Sequence, residues 1–226
     1  MNLNSDFNQR VAQLPSDAVW SDSPLAGVQR RMLDRIGGEL ARATSIVRYA
    51  AGSQFDQHRH GGGEEIFVLQ GVLSDEHGDY PAGTYLRNPP GTSHTPFSEK
   101  GCMLFVKLWQ FAAGDTKQVK VETSHSAWYP CTVPGLSVMP LHEYEGVSTA
   151  LVRWAPHTQF KHHAHFGGEE ILVLAGVFHD ENGQYPTGTW LRSPPGSRHT
   201  PYTNAEGALI YVKVGGVGTQ FLQPIG

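Results

Sequence analysis

Short runs of β-branched and aromatic residues recur along the chain, as in TSIVRYA (44–50), EIFVLQGVL (65–73), GTYLRN (83–88) and CMLFVKLWQF (102–111). Gly and Pro punctuate them, so the pattern predicts many short strands rather than helices. DEHGDY (75–80) and DENGQY (180–185) sit between apolar runs and predict hairpin turns. One stretch, VQRRMLDRIGGEL (28–40), has helix-like spacing, but its counterpart later in the chain is shorter and contains Pro140. That leaves a local segment, with a strand as the other reading. Evenly spaced short strands predict an all-β sandwich or barrel. No apolar run is long enough to span a bilayer, so no membrane role is expected.

The strand pattern occurs twice. Residues 54–97 and 159–202 align at a constant offset of 105, and 47–98 against 152–203 gives 31 identities in 52 pairs without a gap. Upstream, Trp20 and Gly27 match Trp128 and Gly135 at offset 108. Downstream, CMLFVKL (102–108) matches ALIYVKV (208–214) at offset 106. Each copy has the size of a small domain, too long for a solenoid repeat. The expected organisation is a first domain over 1–112 with an arm at 1–19, a linker over 113–125 and a second domain over 126–226. Two such copies predict a monomer with pseudo-two-fold symmetry, or a homodimer.

Composition narrows the function classes. Net charge is -4, with no basic face of the kind nucleic-acid binding needs, so no nucleic-acid partner is expected. The N-terminus lacks the pattern of a secretion signal. Cys102 and Cys131 are too few for a disulfide framework and read as free thiols in a cytoplasmic protein.

Histidine carries the chemistry. His58 and His60 are two apart, so on a strand both imidazoles face one side. Glu64 follows a Gly61-Gly62-Gly63 turn and can face the same pair from the next strand. His94 lies further on, after Pro89-Pro90-Gly91. The second copy repeats the set as His163, His165, Glu169 and His199, while neighbours change: Arg59 becomes Ala164 and Gly61 becomes Phe166. Three imidazoles and one carboxylate suit a divalent transition metal: zinc, iron, manganese, nickel or copper, about two per chain. Strand alternation sends Glu64 and Glu65 to opposite faces, so only one can be a ligand.

Gly52, five residues, His58-x-His60, three residues, Glu64, six residues, Gly71 resembles the first cupin motif. Gly83, five residues, Pro89-x-Gly91, two residues, His94 resembles the second. In the second copy His163, His165, Glu169 and Gly176 match the first motif, and Gly188, Pro194, Gly196 and His199 match the second. His157 stands where the leading glycine belongs. More narrowly, both copies resemble the cupin domain of ChrR-type anti-sigma factors. That resemblance implies two tandem jelly-roll barrels, or double-stranded β-helices, related by internal duplication. It also implies a metal, zinc first, on His58, His60, Glu64 and His94 and on their four counterparts, and a response to singlet oxygen and organic peroxide. The family binds its sigma factor through a separate helical zinc domain built on His and Cys. Residues 1–57 contain neither residue type, so sigma-factor binding is not expected here.

The remaining repeated residues read more plainly. Arg87 and Arg192 are expected in structural ion pairs rather than on a substrate acid. Tyr80 and Tyr185 are expected to close hairpins, and Phe55 and Phe160 to fill core. His77, His125, His142, His157 and His179 read as surface or packing residues, and no catalytic residue stands out. The functional expectation is a ChrR-like regulatory or sensor protein with a small-molecule ligand or a protein partner. The alternative is a metal-dependent dioxygenase acting on a small dicarbonyl-like substrate, since four protein ligands in an octahedral sphere leave two positions open.

Overall fold

The computed structural model describes residues 1–38 and 40–218. Among the described residues two compact units form: Met1–Ser5 with Val19–His125, and Asp6–Ala18 with 126–218. Each is an all-antiparallel jelly-roll barrel, and regular helix is confined to two three-residue 3-10 turns among the described residues.

In the first barrel the main sheet runs Asn2–Leu3, Val28–Gly37, Ala41–Tyr49, Cys102–Leu108, Glu64–Asp75, Thr84–Asn88, Val119–Glu122. The ambiguous stretch after Val28 is therefore a strand, paired with Ala41–Tyr49 along its whole length. Its apolar spacing is broken by a register shift between Met32 and Asp34, which moves later side chains to the other face and imitates a helical period. Leu33, Val28 and the alternate residues of the neighbouring strands are buried. Val47, Ile66, Val68, Leu73, Leu104 and Val106 form the core inside this barrel. Fully burying each aliphatic side chain contributes about 1.5–3 kcal/mol before chain entropy is counted.

Glu64–Asp75 is the strand that places the site. Its first half pairs with Thr84–Asn88 and Cys102–Leu108, and its second half with Gly78–Pro81. The change of partners occurs at Gly71, which has φ 72° and where an added Cβ would sit 2.2 Å from the Gly101 carbonyl oxygen. Only glycine permits that approach. The predicted turn then forms: the Asp75 carboxylate accepts from the His77 amide and from the Tyr80 hydroxyl, each at 2.8 Å.

The second barrel repeats the order as Tyr129–Pro130, Leu136–Tyr144, Val147–Trp154, Ala208–Val214, Glu169–Asp180, Trp190–Ser193, Val11–Gln13. Gly176 repeats the bend against Gly207. His157, in the place of Gly52, itself adopts φ 55°, a conformation His tolerates better than most side chains.

The terminal strands of the two sheets differ from the sequence boundaries. Val119–Glu122, expected in a linker, pairs with Thr84–Arg87 in the first barrel. Val11–Gln13, expected in an arm of the first domain, pairs with Trp190–Arg192 in the second. The residues leading into each of these strands meet a buried arginine. Asp115 pairs with Arg87 at 2.8 Å, whose guanidinium lies 4.1 Å above the Phe111 ring. The Asp6 carbonyl accepts from Arg192 at 3.0 Å, and that guanidinium lies 4.4 Å above Phe7. Arg87 thus makes the structural ion pair expected of it, and Arg192 is held by a backbone carbonyl and a ring. The equivalence of Val11 and Val119 at offset 108 matches that of Trp20 and Trp128.

Candidate metal centres

In the first barrel the short strand His58–Arg59 pairs with Ser93–His94, with His58 directly opposite His94. His60 follows on the same face. The glycine turn then reverses the chain into Glu64, and it packs so closely on Trp109 that a Cβ on Gly62 would lie 2.1 Å from the indole. The three imidazole centroids lie 4.7–5.2 Å apart. One ligand atom from each of His58, His60, Glu64 and His94 falls within 4.8 Å of all the others.

Outer hydrogen bonds fix which nitrogen faces inward. His58 Nδ1 donates to the Asp56 carbonyl at 3.1 Å, and His94 Nδ1 to the Asp75 carboxylate at 3.0 Å. Thr92 spends its own proton on the Pro89 carbonyl, so its oxygen accepts from His60 Nδ1 at 2.9 Å. All three rings therefore carry the proton outward and present a bare Nε2 inward, the tautomer a metal requires. His60 Nε2 and His94 Nε2 are buried with no hydrogen-bond partner, 3.3 and 3.4 Å from Glu64 Oε2. Burial lowers the His60 pKa, outweighing the nearby Glu64 charge. Glu64 is thus a buried carboxylate whose hydrogen-bond donor is the neutral Asn88 amide, at 3.3 Å, and it makes no ion pair with Lys or Arg among the described residues. Several kcal/mol of desolvation go uncompensated unless a cation enters. Orphaned nitrogens, fixed tautomers and an uncompensated carboxylate together fit a divalent transition metal.

The cluster opens into a cavity of about 500 Å³, lined mainly by apolar side chains including Leu25, Val47, Phe55, Ile66, Leu104 and Trp109. Phe55 both packs on the core and walls this cavity, its ring 5.9 Å from His58. Tyr49 also lines it; burial, with the Glu64 charge adding, raises its pKa well above the usual value.

In the second barrel His163 lies opposite His199 on paired short strands, and a ligand atom each of His163, His165 and His199 lies within 4.8 Å of the other two. Glu169 is not within that distance of all three. Its oxygens lie 3.5 Å from His165 Nε2 and 3.6 Å from His199 Nε2. His163 Nδ1 donates to the Lys161 carbonyl at 3.0 Å, and His199 Nδ1 lies 3.5 Å from Asp180. His165 has no equivalent of the threonine contact: Ser197, in the place of Thr92, leaves its hydroxyl buried without a partner. His165 Nε2 instead lies 3.0 Å from His199 Nε2. Two such nitrogens either share a proton or face a common cation.

The electrostatics of this site follow from burial and from one extra charge. Burial, helped by His199 and His163, pushes the His165 pKa down to about 4. Burial pushes Glu169 up to about 7. Asp180 is held down at about 2 against its own desolvation by bonds from His199, Tyr185 and the Asn182 amide and by the Arg10 charge. Its partner His199 rises, because those acidic neighbours outweigh burial. Arg10 lies 3.2 Å from Asp180 and donates to the Tyr185 hydroxyl at 2.5 Å.

Glu65 points to the opposite face from Glu64, across from Arg87 and Lys107, and its counterpart Glu170 accepts from Trp190 Nε1 at 2.8 Å. His162 is exposed and bonds Thr200 at 3.0 Å, outside the cluster. His179 is buried and stacks on Tyr202. Cys102 and Cys131 are free thiols. Sequence reasoning passed over Asp75, Asp180, Thr92, Tyr49 and Arg10. The identical DE-x-G turn in both copies was the available signal for the two aspartates.

The family model described as the ChrR cupin-like domain matches residues 8–112 and again 116–218. No curated protein sequence matches the chain. Among solved structures, a candidate dioxygenase from Nostoc punctiforme superposes with a TM-score of 0.78 at 14% identity, covering 92% of this chain and 82% of that one. A single-substitution variant of the oxalate decarboxylase of Bacillus subtilis gives 0.62 at 14% identity, covering 90% and 76%. The pirin YhhW of Escherichia coli in complex with nickel(II) gives 0.65 at 14% identity, covering 92% and 99%. At such identities the likeness is one of fold.

Proposed function

Because this chain belongs to the ChrR cupin-like family, we propose that it is a two-site metalloprotein whose first barrel binds a small organic ligand at its metal and acts as a sensor. His58, His60, Glu64 and His94 would hold one divalent metal, and His163, His165, Glu169 and His199 the other. Zinc is the metal we expect, with a cytoplasmic protein partner reading the ligand or oxidation state. The observation that carries this reading is the bare-Nε2 cluster opening into an apolar cavity of about 500 Å³. That volume lies in the range of small-molecule sites. A bound metal would supply a Lewis acid with positions left over for an oxygen-bearing ligand. Around it, Asp56, Thr92 and Asp75 hold the imidazoles, and the apolar walls exclude water.

The same cavity favours a second reading, a dioxygenase acting on a small dicarbonyl-like substrate, for which a redox-active metal is required. Elemental analysis of tag-free protein purified without added metal separates the two. Close to two zincs per chain supports the sensor. Iron, manganese, nickel or copper supports the enzyme and leads to oxygen-uptake assays with dicarbonyl compounds. Protein that is metal-free and refuses added metal overturns both.

A further inference from the structure

Tyr49 ends the strand Ala41–Tyr49 and is 7% exposed. It lines the same cavity as the four clustered residues, and its ring packs 5.5 Å from Phe55. Among the described residues, none hydrogen-bonds its hydroxyl. The hydroxyl is not among the fully enclosed unpartnered atoms, so on a residue that lines the cavity it stays open to a molecule entering there.

The other barrel offers an independent observation at the equivalent position. Trp154 occupies it, 6% exposed, and its Nε1 is buried with no hydrogen-bond partner. Its ring meets Phe178 at 5.4 Å, and Phe178 in turn lies 6.4 Å from His199. Tyr and Trp differ in shape but share an aromatic body with one donor at its edge. A position that only filled the core would accept Phe and leave no donor orphaned. Both copies instead keep a donor that makes no hydrogen bond among the described residues, fully enclosed on Trp154 and on the cavity lining at Tyr49.

We propose that Tyr49 is the hydrogen-bond donor that receives a small oxygen-chelating molecule of short hydrocarbon body at the first metal site. This rests on the metal-and-ligand reading above and names the ligand's chemical class. One end of the ligand offers oxygens to the metal, and one of those oxygens, or a neighbour, accepts from the Tyr49 hydroxyl, which is protonated at neutral pH. The body lies against Val47, Ile66 and Leu104. A phosphate or polycarboxylate does not fit these walls. Arg59, the cation among the described lining residues, is exposed and donates to the Gly91 carbonyl.

The test uses the full chain with His163→Ala and His165→Ala, loaded with cobalt(II) so that the visible spectrum reports the first site alone. 2,4-Pentanedione is the probe, with inorganic phosphate as the contrasting anion. The expected result is a diketone-dependent spectral change that Tyr49→Phe weakens about tenfold while cobalt content and thermal unfolding stay the same. Equal diketone affinity with and without the hydroxyl overturns the role of Tyr49. Cobalt that binds but ignores the diketone, or prefers phosphate, overturns the ligand class. A chain that binds no cobalt at the first site overturns the metal reading itself, and this inference with it.

Discussion

The two barrels keep the same four residues at the same spacing and surround them differently. In the first, Asp56, Thr92 and Asp75 each hold one imidazole at 2.9–3.1 Å, and the inward nitrogens meet a carboxylate that no described Lys or Arg touches. In the second, Ser197 leaves His165 unheld, the aspartate contact to His199 lengthens to 3.5 Å, and Arg10 brings a positive charge onto that aspartate. The aromatic cover also changes place. Trp109 packs over the glycine turn of the first barrel, whereas the second has Gly215 there and an 88% exposed Phe166 in the turn. A ligand set read from sequence thus names candidate donors. Their surroundings decide how firmly they are held and what reaches them.

The largest expected effect tests whether the barrels load independently. Replacing His58 and His60 by Ala should lower metal content from about two ions per chain to about one, leaving the second barrel filled. Unchanged content by mass spectrometry of the metal would refute the ligand assignment. A smaller effect separates the two outer shells. Thr92→Ala should weaken metal binding in the first barrel by about tenfold, because His60 loses its tautomer lock. Ser197→Ala should leave the second barrel unchanged, since its hydroxyl holds nothing. Equal losses in competition titrations with a chelator would erase the distinction between the shells. The smallest effect concerns Arg10, whose side chain is 30% exposed. Arg10→Gln, which supplies the residue type of Gln118 at the matching position, should weaken the second site only a few-fold, because solvent screens such a charge. Salt should shrink the difference further, and an effect on the first site would show that Arg10 acts through the fold instead.

Much of this was legible in the residues. The duplication, the strand-rich pattern and the candidate donors all depend on local period and spacing, which a single sequence carries. The segment Val28–Gly37 was ambiguous because its bulge shifts the apolar period, and only pairing with Ala41–Tyr49 resolves it. Asp75 was visible only as a turn residue: its second oxygen finds His94 across 19 positions of chain. Tyr49 carries no mark in the strand pattern, since alternation does not reveal which hydroxyl lacks a hydrogen bond and lines a cavity. Arg10 was unreadable, because its partner lies 170 residues away.

The terminal strands carry a consequence for dissecting the gene. The family matches divide the chain into 8–112 and 116–218, yet Val11–Gln13 completes the sheet of the later stretch and Val119–Glu122 that of the earlier one. A truncation placed at the repeat boundary therefore yields two fragments that each carry a stray strand and lack a needed one. Exposed edges of that kind invite pairing with other chains. A protein descended by duplication has in this way become indivisible along the line of its own repeat.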